Sequence, residues 1–179
     1  MLFKSELMEE RGLLDTAARM CIAARTAPKA KGQDFITTQV LTEHEKDLLA
    51  EKMEEIGKRD FKEKGSLWYG RDADNVRTSH AVVLIGARKS YRGVAQCGLC
   101  GFDNCHACQS AGGNCAHLFL DLGIALSSAA LTASSDNVDN RMMWSAGKAA
   151  AEMYNTDDEI FWIGIPLSVT GKNVFFDRK

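Results

Sequence analysis

Five cysteines stand within 19 residues, in the run Cys97-Gly-Leu-Cys100-Gly-Phe-Asp-Asn-Cys105-His-Ala-Cys108 followed by Ser110-Ala-Gly-Gly-Asn-Cys115. Such crowding is not ordinary core usage. The N-terminal stretch carries Glu6, Glu9 and Glu10 where a signal peptide would be apolar. No uninterrupted apolar run reaches the roughly 18 residues that span a bilayer. The expected compartment is therefore cytoplasmic, where thiols stay reduced. Clustered soft thiolates then point to zinc, copper(I) or an iron–sulfur cluster.

The spacing helps to choose between them. A structural zinc site usually joins two CxxC knuckles through a dozen residues or more. Here only four residues separate the knuckles. One compact loop around a larger cluster fits better, as in ferredoxins. Gly98 and Gly101 follow Cys97 and Cys100 directly and permit the positive φ angles of a tight wrap. Their exposed N–H groups can serve cluster sulfurs. Leu99 and Phe102 are candidates to shield the cluster from water, and Arg88, Lys89 and Arg92 to balance its negative charge. Cys97, Cys100 and Cys105 are the expected ligands. Cys115 is favoured for the fourth position, with Cys108 as the alternative. His106 and His117 flank these cysteines and are read as surface or supporting groups. Cys21 lies far upstream and is read as core.

The remaining chain frames this segment. It has 179 residues, 45% of them apolar, enough for one sizeable core. Twenty-two Lys and Arg against 24 Asp and Glu leave a net charge of −2, which argues against nucleic acid and anionic membrane as partners. Apolar periodicity predicts a helix over 5–25, with Leu7, Leu14, Ala17, Ala18, Cys21 and Ala24 on its inner face. Pro28 sets its latest end. Residues 35–41 read as a strand. Thr42 and Glu45 form a capping box for a helix to about Lys58. Residues 62–77 are polar, glycine-punctuated and read as mostly loop. The apolar run 81–85 reads as a strand buried on both faces. Helices are expected over 117–133, rich in small residues, and over 140–153. A strand over 160–165 ends at Pro166. The fold class is α+β, a mixed sheet flanked by helices. It forms a single domain, 1–179, with the cysteine-rich segment 96–116 inserted.

The string CGLCGFDNC resembles the small 4Fe–4S domain that reads C-x2-C-G-x3-C before a more distant fourth Cys, found in electron-transport and corrinoid iron–sulfur proteins. That resemblance implies a 4Fe–4S cluster on Cys97, Cys100, Cys105 and Cys115, with Cys108 an additional thiol. The whole chain resembles a family of prokaryotic ferredoxin-domain-containing proteins. AARTAPKAKGQD (23–34), GGNCAHLFLDLGIALSSA (112–129), VDNRMMWSAGKAA (138–150) and GIPLSVTGKNVFFDR (164–178) carry the likeness. More distantly, the layout is similar to the flavin-dependent nitroreductase fold. That likeness implies a homodimer and an FMN whose phosphate would meet Arg25 and Lys29. The chain departs from that fold through the inserted cysteines and the missing Arg-Arg-Ser-x-Arg pattern.

The same basic loop, Arg25, Lys29 and Lys31, reads more simply as charges at a helix C-terminus. Lys172 and Arg178 invite the same two readings. Residues 136–141 (DNVDNR) offer Asp139 or Asn140 as a helix cap. The combined expectation is an iron–sulfur electron-transfer protein that exchanges electrons with a redox partner protein or a small molecule, such as a bound flavin. Two alternatives are a zinc- or cluster-stapled binding protein and an FMN-dependent oxidoreductase.

Overall fold

The computed structural model describes residues 1–61 and 63–176, and within these the side chains of all but residues 63–67. Its first element, α1 (Ser5–Thr26), buries Leu13, Ala17, Met20 and Ala24 at steps of four, three and four. This stripe is rotated from the expected one. Leu7 and Leu14 are exposed instead, because the regular stripe next to theirs faces the sheet. The helix ends where the residue before Pro28 turns extended (Ala27 φ −54°, ψ 144°). A short 3-10 turn, Ala30–Gly32, leads to β1 (Ile36–Thr42).

α2 (Glu43–Asp60) follows without the expected capping box. Thr42 makes no side-chain cap bond, and Glu43 sits at φ +46°. Residues read as loop form α3 (Glu63–Thr78). The glycines suggested punctuation, but Tyr69, Ala73 and Val76 are fully buried at helical spacing, and Gly70 faces open space. Packing of that stripe outweighs the low helix propensity of glycine. Lys62 lies outside the described residues.

β2 (Ala81–Arg88) is buried on both faces, as its continuous apolar run implied. Val83 and Ile85 point to one core, Val82 and Leu84 to the other. After the cysteine segment come α4 (Cys105–Ser110), α5 (Ala116–Ser135), β3 (Asp139–Asn140), α6 (Trp144–Tyr154) and β4 (Ile160–Ser168). The sheet has the order β1-β2-β4-β3, and every pairing is antiparallel rather than mixed. α1 and α5 cover one face; α2, α3 and α6 cover the other.

Two boundaries differ from expectation for the same reason. Asn140 pairs with Leu167, and Met143 exchanges backbone bonds with Gly164. Residues 140–143 are thereby drawn to the sheet, and α6 starts only at Trp144. Pro166 does not end β4. Leu167 accepts from His80 on the β2 side, so Pro166 turns its missing N–H to the other side, where the ladder breaks between Asn140 and Met143. α6 lies tight on β4: a Cβ on Gly147 would fall 1.8 Å from the Trp162 carbonyl oxygen.

α5 alone among the described helices is long and apolar enough to cross a membrane. Here one of its faces belongs to the core, while Leu120 and Leu131 are exposed. Leu118, Leu122, Ala125, Ala129 and Ala133 pack on α1 and the sheet.

Candidate functional site: a thiol-lined pocket

Residues 89–115 connect β2 to α5 and are anchored at both ends. At the start, Tyr91 Oη donates to the Gly113 carbonyl (2.8 Å). Arg92 is buried and forks onto Asp121 Oδ2 of α5, through Nε at 3.0 Å and Nη2 at 2.6 Å. Asp121 Oδ1 accepts from Ala30 N–H (3.0 Å), and the Arg92 guanidinium lies 4.5 Å from the centre of the Phe35 ring. One buried ion pair thus joins four parts of the chain. Each charge is matched by the other, as burial requires.

Between these anchors the backbone wraps inward. Gln96, Gly98, Gly101 and Gly112 all have positive φ. At Gly98 and Gly101 this is the conformation expected of a tight wrap, closed by the Gly101 N–H to Gly98 carbonyl bond (2.9 Å). Asn104 caps α4 by accepting from Ala107 N–H at 2.9 Å. The result is a small cavity of about 20 Å³, lined by Cys97, Cys100, Cys105 and Cys115 together with Arg92 and Phe102.

Cys108 is fully buried and does not line that cavity. Its sulfur packs where a Gly113 side chain would otherwise sit, 3.0 Å from a Cβ built there. Burial pushes the Cys108 thiol up, with the neighbouring Cys100, Cys115 and Cys105 adding to the effect. Cys97 Sγ lies 3.6 Å from His117 Nε2. His106 and Leu99 are exposed, so of the two expected shields only Phe102 faces the pocket. Asn114 Oδ1, next to Cys115, is buried without a partner among the described residues. Cys21 packs against the α1–α5 core.

Of the expected cations, Arg92 alone reaches the pocket, and Asp121 neutralises it. Arg88 pairs with Asp158 (3.4 Å) and Lys89 with Glu159 (2.7 Å). The basic loop has its own partners. Arg25 bonds Asp34 Oδ2 (2.6 Å) and the Ile36 carbonyl. Lys29 Nζ caps the end of α1, donating to the carbonyls of Ala24, Arg25 and Ala27. Lys31 reaches the Gly93 carbonyl (3.3 Å). Lys172 is exposed; Arg178 lies outside the described residues. Asp139 and Asn140 do not cap α6, whose N-cap is Met143. Asp139 accepts from Asn173 instead (2.9 Å).

Asp121 is the site residue that sequence reading missed. Its signal was present: an acid on the same helical stripe as Leu118, Leu122 and Ala125 must find a buried cation.

Among the described residues no three His, Cys, Asp or Glu side chains converge tightly enough for one ion. The four thiols instead line one shared space of about a single water's size; the donor types suit an iron–sulfur cluster, and the loop would have to widen to take one.

The chain matches the family described as "Uncharacterized protein containing a ferredoxin domain (DUF2148)" over residues 111–178. That match includes Cys115 and begins after the other four clustered cysteines. A protein from Archaeoglobus fulgidus is 37% identical over 99% of this chain and 98% of its own length. The chain belongs to this ferredoxin-domain family. Its fold is nitroreductase-like. A putative nitroreductase in complex with FMN from Desulfovibrio desulfuricans superposes with TM-score 0.58 at 15% identity, covering 99% of this chain and 93% of that one. A BluB-like flavoprotein from Clostridium difficile gives 0.59 at 15%, covering 92% and 84%. A nitroreductase-like protein from Bacillus cereus gives 0.58 at 10%, covering 97% and 90%. Members of the ferredoxin-domain family thus include a chain that sets a thiol-lined pocket into a nitroreductase-like sandwich.

Proposed function

We propose that this ferredoxin-domain protein transfers electrons through an iron–sulfur cluster of the 4Fe–4S type. The observation that carries the reading is the lining of one cavity by Cys97, Cys100, Cys105 and Cys115. Thiolates are the ligands such clusters take. Cys97, Cys100 and Cys105 would hold three irons and Cys115 the fourth. Cys108 stands behind them as a buried thiol toward Cys100. Bound there, the cluster supplies one-electron exchange. The chain's own groups do the rest: Phe102 limits water, Gly98 and Gly101 let the loop close, and the Arg92–Asp121 pair fixes the loop to α5.

A flavin is the proposed exchange partner, supported by the FMN named for a structure of the same fold. A second copy of the chain, a redox protein or a small-molecule donor or acceptor completes the proposed set of partners. Replacing Arg25 by Ala tests the flavin phosphate site. Loss of flavin places the phosphate there, and unchanged flavin content removes Arg25 from it.

Anaerobic purification decides the main reading. The expected product is brown, absorbs near about 400 nm and carries about four iron and four sulfide per chain. Colourless protein with stoichiometric zinc overturns it in favour of a zinc-stapled loop.

A further inference from the structure

Beside the cysteine pocket lies a second cavity, of about 450 Å³, between the first turns of α5, the outer side of α6 and the start of β4. This volume falls in the range of small-molecule sites. Four aromatic side chains, Phe119, Trp144, Phe161 and Trp162, line it. Phe119 meets Phe161 edge-on with ring centroids 5.1 Å apart, and Trp144 stacks on Trp68 at 6.4 Å. Trp162 is held in one orientation because its indole N–H donates to Asn155 Oδ1 (3.0 Å). Asn155 is in turn fixed by donating to the Ile160 carbonyl (3.0 Å).

The charges around the cavity are unequal. Glu159 lines it but is matched by Lys89 at 2.7 Å. Lys148 also lines it, and none of the described residues forms an ion pair with it. Asp60 and Glu152 are held directly by Arg59 at 2.6 and 2.7 Å, and Lys148 balances the pair of them at longer range. The cavity therefore offers flat apolar walls and one ammonium group that no carboxylate contacts directly.

We propose that this cavity is a binding site for a planar aromatic anion of one or two fused rings. The rings would lie among Phe119, Trp144 and Trp162, where edge and face contacts favour another aromatic system. The anionic group would meet Lys148 at the rim. The binding claim is independent of what the thiols hold. Its position gives it interest: Phe119 follows Cys115 by four residues, about 6 Å along the axis of α5. A ligand here would sit next to the thiol-lined pocket.

The test is calorimetric titration of the full chain with 2-naphthoate, and separately with its neutral analogue 2-naphthylmethanol. Trp144 is 54% exposed and Lys148 half-buried, so Trp144→Ala and Lys148→Gln are expected to fold; circular dichroism checks this. The expected result is saturable binding of one naphthoate per chain. Lys148→Gln weakens naphthoate by about tenfold and leaves naphthylmethanol unchanged, while Trp144→Ala weakens both. No saturable binding overturns the proposal, including the case in which a second copy of the chain closes the cavity. Naphthoate binding that neither substitution alters also overturns it.

Discussion

A single carboxylate governs how the cysteine segment is held. Asp121 and Arg92 have side chains only 3% and 1% exposed, so neither charge has water to fall back on. Asp121→Ala is expected to cost about 3–5 kcal/mol, read by thermal or urea unfolding, because it strands the guanidinium. Replacing both residues by Leu and Met of similar volume is expected to recover most of that loss. A recovered Tm with a loosened cysteine loop would separate stability from positioning. The thiols differ in the same residue-level way. Cys115→Ser is expected to abolish cluster loading, whereas Cys108→Ser retains it, with iron content as the readout. The reverse pattern would make Cys108 the ligand. Tyr69 offers a third case. Its hydroxyl is buried without a partner among the described residues, and burial, aided by Asp60, Asp72 and Glu152, has its pKa pushed up to about 12 from 10.0. Above pH 10 the unfolded chain loses the phenolic proton while the folded chain keeps it to about pH 12, so stability falls across that window. Tyr69→Phe is expected to flatten this alkaline decline and to raise stability at neutral pH by about 1 kcal/mol.

Among the described elements, α6 approaches the sheet most closely at a glycine. Gly147 brings its backbone against Trp162, and a methyl group there would overlap a carbonyl that cannot rotate away. Gly147→Ala is expected to cost more than the about 1–3 kcal/mol of ordinary overpacking, visible as a lowered denaturant midpoint. Elements with strong periodicity or a continuous apolar run were legible in the sequence: α1, α2, β1, β2, α5 and the body of β4. Features set by tertiary contact were not. The inner face of α1 is chosen between two adjacent stripes by the sheet, and α3 exists because Tyr69, Ala73 and Val76 find a core. At the site, residue types and spacing located the thiols. They did not reveal that Cys108 turns away from the cavity, since that depends on Gly113 lying against it. Nor did they reveal that Arg92 would be spent on a helix residue 29 positions downstream.

For the molecule as a whole, the cysteine pocket contributes a single residue, Cys115, to the two cores that the sheet and its helical layers bury. Val83, Ile85 and Ile165 fill one core; Leu49, Met53 and Trp162 fill the other. Removing the proposed cluster with a chelator is therefore expected to leave cooperative unfolding of the sandwich intact. Amide hydrogen exchange should rise over residues 89–115 and stay unchanged in β2 and β4. Collapse of protection across the sheet would show that the cluster is needed for the entire fold.

The two anchors of the cysteine segment have a consequence for how such chains diverge. Tyr91 and Arg92 clamp its beginning to Gly113 and Asp121 near its end, so both ends of the loop are fixed before its interior is considered. For a loop with fixed ends, even doubling the length adds only about 0.6 kcal/mol of closure entropy. A change of length between the anchors then leaves the sheet register untouched, and only the need to bring the four thiols to one cavity limits it. Relatives that keep the ion pair are therefore expected to keep the sheet whatever the length of the loop.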